Sequence, residues 1–199
     1  MASDNMAGSK DPQHEPSPGE LDSQGIHAMR MPHLKHVYRI VCHMSGNNTT
    51  IPNVQDTDIT RLILPIAGGT VSGPQIKGSI VPNSGADWAQ LVGGEQKRFV
   101  CLDARYPLRT GDGFDILVSA KGIYEEGPHS QARQAGPVPT VTQDDVEYFT
   151  HLTFEAAGHG PYSWMNRIVA IGVMTMFKSR PIIDCYRLTN FPSVNIDKS

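Results

Sequence analysis

Residues 67–109 read AGGTVSGPQIKGSIVPNSGADWAQLVGGEQKRFVCLDARYPLR, and this stretch decides the fold. Three strand-like runs, 70–81, 88–92 and 98–108, are separated by Pro82-Asn83-Ser84-Gly85 and Gly93-Gly94, residue types that tight turns demand. Runs this short, joined by turns and with no room for crossover helices, predict an antiparallel meander. Successive side chains on a strand point to opposite faces, so Leu102, Ala104 and Tyr106 share one face and Asp103 and Arg105 the other. Residues two apart lie about 7 Å apart along a strand, close enough to converge on one polar ligand group. Provided that their face lines the interior, Asp103 and Arg105 are the leading site candidates.

Outward from this stretch the same grammar continues. Residues 34–44 (LKHVYRIVCHM) and 59–66 (ITRLILPI) are rich in β-branched and aromatic residues, and Pro65 marks an edge or a bulge. Gly68-Gly69 is read as the turn that follows. Gly111-Asp112-Gly113 closes a hairpin onto residues 114–123, and 146–154 alternates Val146, Tyr148, Thr150, Leu152 and Phe154 against Glu147, Phe149, His151 and Thr153. Residues 162–177 fit a long strand bent at Gly172, with a helix as the alternative, and 182–188 ends the series. The Gly- and Pro-rich segment 124–145 has the length of a lid. Nine or ten strands without a convincing helix predict an all-β fold: a single closed antiparallel barrel of about 8–10 strands with a central ligand cavity, over residues 33–199. Residues 1–32, polar and holding four prolines, form a flexible acidic leader.

Composition removes several function classes. With 17 basic and 20 acidic residues the net charge is −3, without the basic excess that neutralises phosphates, so nucleic acid is not expected as a partner. There is no apolar run of about 18 residues and no signal-peptide pattern, so a cytoplasmic protein with no membrane partner is expected. Cys42, Cys101 and Cys185 are odd in number and far apart, as reduced thiols would be. His27, His33, His36 and His43 do not have metal-ligand spacing, and no metal is assigned.

Phosphate-cradling loops, the Gly-x-Ser-x-Gly nucleophile elbow, Cys-x-x-Cys and His-Glu-x-x-His are all absent from the sequence. What remains is a group of carboxylates, arginines and aromatics at strand ends: Asp87-Trp88, Asp103-Ala104-Arg105-Tyr106, Asp112, Tyr148, and Trp164 with Asn166. Such a set suits chemistry without a cofactor. Each member also has a plain structural reading: Asp87 and Asp112 as turn caps, the tryptophans as packing, Asp103 and Arg105 as an ion pair on a solvated face.

The ordered blocks Gly73-Pro74-x-Ile76-x-Gly78, Gly85-Ala86-Asp87-Trp88, Asp103-Ala104-Arg105-Tyr106, Asp112-Gly113, Tyr148-Phe149 and Trp164-Met165-Asn166 resemble the domain of unknown function 3237 family over residues 34–188. The resemblance implies a small β-barrel with a central cavity, often oligomeric, so a homo-oligomer such as a dimer is expected. It implies no established common activity. The expected function is a cofactor-free isomerisation, cyclisation or addition–elimination of an apolar oxygenated metabolite. Asp103, Arg105 and Asp87 are the catalytic candidates; Trp88, Tyr106, Asp112, Tyr148, Trp164 and Asn166 are the substrate-binding ones. The alternative is a carrier barrel that binds an apolar ligand without chemistry.

Overall fold

The alternating runs do form strands, and the strands pair into one antiparallel sheet. The structure is a computed structural model that describes residues 19–21, 23–93, 99–127 and 140–193. The elements are β1 His33–Met44, β2 Thr49–Ile51, β3 Ile59–Ser72, β4 Lys77–Ile80, β5 Gly85–Val92, β6 Phe99–Thr110, β7 Asp115–Glu126, β8 Thr140–Val141, β9 Val146–Ala156, β10 Ala170–Phe177 and β11 Arg180–Thr189. Eight of them close a ring in the order β1-β11-β10-β9-β7-β6-β5-β3 and back to β1. Closure removes the free sheet edges that so many short apolar strands would otherwise expose.

Two segments expected as turns behave otherwise. Gly68-Gly69 lies inside β3, which continues to Ser72, and the chain reverses at residues 73–76, where Gly73 N–H donates to the Ile76 carbonyl at 2.8 Å. A Cβ on Gly69 would sit 2.9 Å from Ile80 Cδ1 and against the Val41 carbonyl, so the glycine serves close strand packing. Residues 82–85 are not a hairpin turn either. β4 and β5 run the same way between β3 and β6, and the segment between them is an offset in one long strand. Its backbone is bonded on both sides, Val81 N–H to the Pro107 carbonyl at 2.9 Å and Asn83 N–H to the Ala67 carbonyl at 3.2 Å. Pro65, expected at an edge or bulge, falls between the end of β2 pairing at Ile63 and the start of β1 pairing at Ile66. There the missing N–H disturbs no ladder bond.

Residues 162–177 divide. Ser163–Arg167 is a 3₁₀ turn and β10 starts only at Ala170. Trp164 and Met165 are buried from that turn, closing the barrel at one end beneath Tyr38 and Phe154, whose rings meet edge to face at 6.2 Å. β10 passes Gly172 in regular register with β11, without a bulge, and its pairing with β9 ends at that residue; a Cβ there would collide with Thr150 and lie 3.2 Å from Ile183 Cγ2. Lys178 and Ser179 then form a two-residue hairpin with φ of 51° and 59°, the left-handed geometry of a type I′ turn.

The expected lid is partly strand. Residues 124–126 extend β7 against β9, while Thr142–Asp145 form a turn in which Asp145 accepts from the Thr142 amide and hydroxyl, both at 2.8 Å. Residues 128–139 of that segment lie outside the described residues, as do 1–18 of the leader, in whose described part Leu21 bridges His27. The closing seam of the ring joins β1 to β11, from His33↔Thr189 to Val41↔Ile182. Arg39 clamps Asp184 across it with two bonds of 2.8 and 2.6 Å.

Candidate functional site

Strand alternation sends one face of every barrel strand inward, and at the end opposite the Trp164 plug the inward side chains enclose a cavity of about 220 Å³. Leu62 and Leu64 come from β3, Val100 and Leu102 from β6, Met174 and Met176 from β10, and Pro181 and Ile183 from β11. Into this apolar wall project Asp87 from β5, Tyr106 from β6, Tyr124 from β7, Tyr148 from β9 and Cys42 from β1.

Asp87 is the one carboxylate among the described lining residues. Burial pushes its carboxyl up to about 6 from an ordinary 3.8; the Asp103 N–H, which donates to Asp87 Oδ1 at 3.0 Å, pulls the other way, and the Asp103 carboxylate adds a further upward push. Burial first, and then the nearby Asp87 charge, raises Tyr148; burial likewise holds Tyr106 well above 10 and pushes the Cys42 thiol up to about 12. At neutral pH the cavity therefore holds a carboxyl poised between its two states and protonated hydroxyls able to donate. Behind Tyr106, the buried Tyr38 hydroxyl has the Tyr106 hydroxyl and the Cys185 thiol as polar neighbours, and Thr150 sits beside Tyr148.

The expected residues divide by position. Asp87, Tyr106 and Tyr148 meet in the cavity. Asp103 and Arg105 do not: their strand shows its Leu102-Ala104-Tyr106 face to the interior, so the charged pair stands on the outer wall. There Asp103 lies 3.7 Å from Arg105 Nε and 3.6 Å from Lys121 Nζ, both cations well exposed. Expelling the two charges is the cheaper arrangement, since an ion pair inside an apolar wall has no water to solvate it. Asp103 still touches the site through its backbone N–H. Trp88 follows Asp87 on the strand, faces outward and is 40% exposed, while its carbonyl accepts from Arg61 at 2.6 Å.

Asp112, Trp164 and Asn166 are at the plugged end. Asp112 accepts from the Tyr162 hydroxyl at 2.9 Å, Trp164 is core, and the Asn166 amide pairs with both backbone groups of Ala156 at 2.7 and 2.9 Å. None of these three lines the cavity. Cys42, Tyr124, Met174 and Met176 are lining residues that sequence reasoning missed. Alternation in β1 and β7 carries a signal for Cys42 and Tyr124, whereas the methionines come from a run whose start was misplaced.

A sequence profile described as Protein of unknown function (DUF3237) matches residues 32–188. The UPF0311 protein RPA1785 of Rhodopseudomonas palustris (strain ATCC BAA-98 / CGA009) is 30% identical over 154 residues, 77% of this chain and 95% of that protein. A beta-barrel like protein from Acinetobacter baumannii AYE superposes with a TM-score of 0.65 at 26% identity, over 82% of this chain and 99% of that one. An enzyme from Penicillium herquei shares the fold at a TM-score of 0.54 and 17% identity, over 81% of this chain and 98% of its own.

Proposed function

We propose a function from one premise: the chain belongs to the DUF3237 family, proteins of unknown function, so its chemistry has to be argued from its own cavity. The reading is a small-molecule-binding barrel enzyme that moves a proton on an apolar oxygenated substrate, in an isomerisation, a cyclisation or an addition–elimination. One observation carries it: Asp87, held near 6, projects into an otherwise apolar cavity beside two tyrosine hydroxyls. A general base works best when its pKa lies near the operating pH.

Ionised Asp87 takes a proton from a carbon next to a carbonyl, or from a hydroxyl, and becomes the neutral acid. Tyr148 and Tyr106, kept protonated by burial, donate hydrogen bonds to the oxygen on which negative charge develops. The proton returns from Asp87 at a different atom, which isomerises the substrate, or at the far end of an alkene as a ring closes. Over an isomerisation or a cyclisation no atom is gained or lost; in an addition–elimination Asp87 takes the proton of the incoming nucleophile and returns it to the group that leaves. The distant likeness to the Penicillium herquei enzyme speaks to the fold alone.

The apolar wall favours one other reading, a carrier that selects its ligand by shape. A substrate-independent assay separates the two: α-deuteration of 2-tetralone in heavy water, followed by proton NMR. Catalysis predicts exchange above the buffer rate that is lost in Asp87→Asn with binding retained. Exchange at the buffer rate in the wild-type protein, with ligand bound, would leave the carrier.

A further inference from the structure

The same cavity has a charge preference that follows from what does not point into it. Among the described residues, no lysine, arginine or histidine lines its wall. The described basic residues close in sequence to its lining lie outside it: His43, Lys178 and Arg180 are exposed, Arg61 bonds the Trp88 carbonyl on the outer surface, Arg105 and Lys121 flank Asp103 outside, and Arg39 is bound to Asp184. Among the described lining residues Asp87 is the one carboxylic acid, and its neighbours there are hydroxyls, a thiol and hydrocarbon.

We infer that the cavity is a charge-selective binding site, taking a neutral molecule of one or two rings with its oxygen toward Asp87 and Tyr148 and rejecting the carboxylate, sulfonate or phosphate of the same shape. The inference rests on the proposal that this cavity is the ligand site, and it names the class of ligand. Size sets the ring number, because an apolar cavity of about 150 Å³ holds one benzene and this one measures about 220 Å³. Polarity sets the orientation. The hydroxyl donors and the carboxyl come from β5, β6, β7 and β9, whereas the faces contributed by β3, β10 and β11 are hydrocarbon or thioether.

Rejection of anions has two sources. An anionic head group gives up its water and finds no cation to replace it. It also meets the like charge of Asp87 at short range in a medium less polarisable than water. The second source weakens in acid. The charged and titratable groups around Asp87 are Asp103 on β6, Tyr148 on β9, Tyr106 and Tyr124, and Cys42 on β1; burial keeps Tyr148, Tyr106 and Cys42 protonated through neutrality, so below pH 6 Asp87 becomes a donor and the penalty on an anion falls.

The test is isothermal calorimetry on the full chain with two probes built on one ring system, 2-naphthol, neutral between pH 5 and 8, and naphthalene-2-sulfonate, anionic across that range. The expected result at pH 8 is binding of 2-naphthol and at least roughly tenfold weaker binding of the sulfonate. The gap narrows at pH 5 in the wild-type protein, and Asp87→Asn narrows it at pH 8. Equal affinities at pH 8, or a gap that neither pH 5 nor Asp87→Asn reduces, would overturn charge selection while leaving a ligand cavity in place. Binding of neither probe would overturn both the inference and the ligand-site reading beneath it.

Discussion

Replacing Asp87 by asparagine makes the protein more stable at pH 8, and the size of the gain follows from the burial of the carboxyl. A buried acid whose folded pKa is raised stabilises the folded state only while it is protonated. That stability is fully present below the unfolded pKa and is lost as pH rises through the folded one. For Asp87 the loss runs from about 4 to 6. At about 1.4 kcal/mol for each tenfold change in proton affinity, moving the carboxyl from 3.8 to about 6 leaves the folded state ~3 kcal/mol less stable above pH 7 than below pH 4. Asparagine keeps an oxygen for the Asp103 N–H and carries no charge. The variant is thus expected to match the wild type at pH 4 and to exceed it by ~2–3 kcal/mol at pH 8. Urea unfolding at intervals of half a pH unit measures both proteins, and subtraction cancels every other titrating group. A difference curve that is flat, or that favours the wild type at pH 8, would show that Asp87 is not desolvated and would remove the basis of its catalytic role.

Asp103→Asn removes the outer carboxylate that pushes Asp87 up, so the Asp87 midpoint, followed by infrared absorption of the carboxylate, moves to lower pH; an unchanged or raised midpoint contradicts the coupling across the strand. Asn166→Ala breaks two bonds to Ala156 and costs about 1–3 kcal/mol in thermal or urea unfolding, yet leaves ligand affinity in the cavity within twofold. Ser179→Gly relieves a left-handed residue in the β10–β11 hairpin and raises stability by about 1 kcal/mol, while Lys178 keeps its place 5.4 Å from the centre of the Phe177 ring. A loss of stability instead would mean that the turn is not strained.

Much of this fold is legible in the sequence because period-two alternation is a local property. The Val146, Tyr148, Thr150, Leu152 and Phe154 face was read as one face and does point inward along β9. Alternation gives two faces and does not say which is interior. For β6 the charges of Asp103 and Arg105 drew attention to the wrong one, although Leu102, Ala104 and Tyr106 opposite them are the residues a barrel interior prefers. The plug was hidden for a different reason. Ile168 and Val169 suggest strand, but Trp164, Met165 and Asn166 are held in a 3₁₀ turn by burial and by bonds to Ala156, partners that only the tertiary fold supplies. The cavity was legible one residue at a time: Asp87, Tyr106 and Tyr148 stood out individually, whereas Cys42 and Met174 become neighbours through a ring closed between distant strands.

That closing seam has a kinetic consequence. Arg39 and Asp184 are 145 positions apart, so forming the β1–β11 ladder closes a loop whose entropy costs ~4 kcal/mol on a logarithmic chain-length estimate. The hairpins β6–β7 and β10–β11 join residues close in the chain and can form at once. β1 also has a nearer partner in β3, which leaves its other edge unpaired until the penultimate and last strands have been made. Refolding is therefore expected to be slow for a chain of this size, with amides of the seam protected after those of the hairpins. Until then the half-built cavity lies open as an apolar trough, and a neutral ligand present during refolding would meet the binding wall before the barrel that encloses it exists.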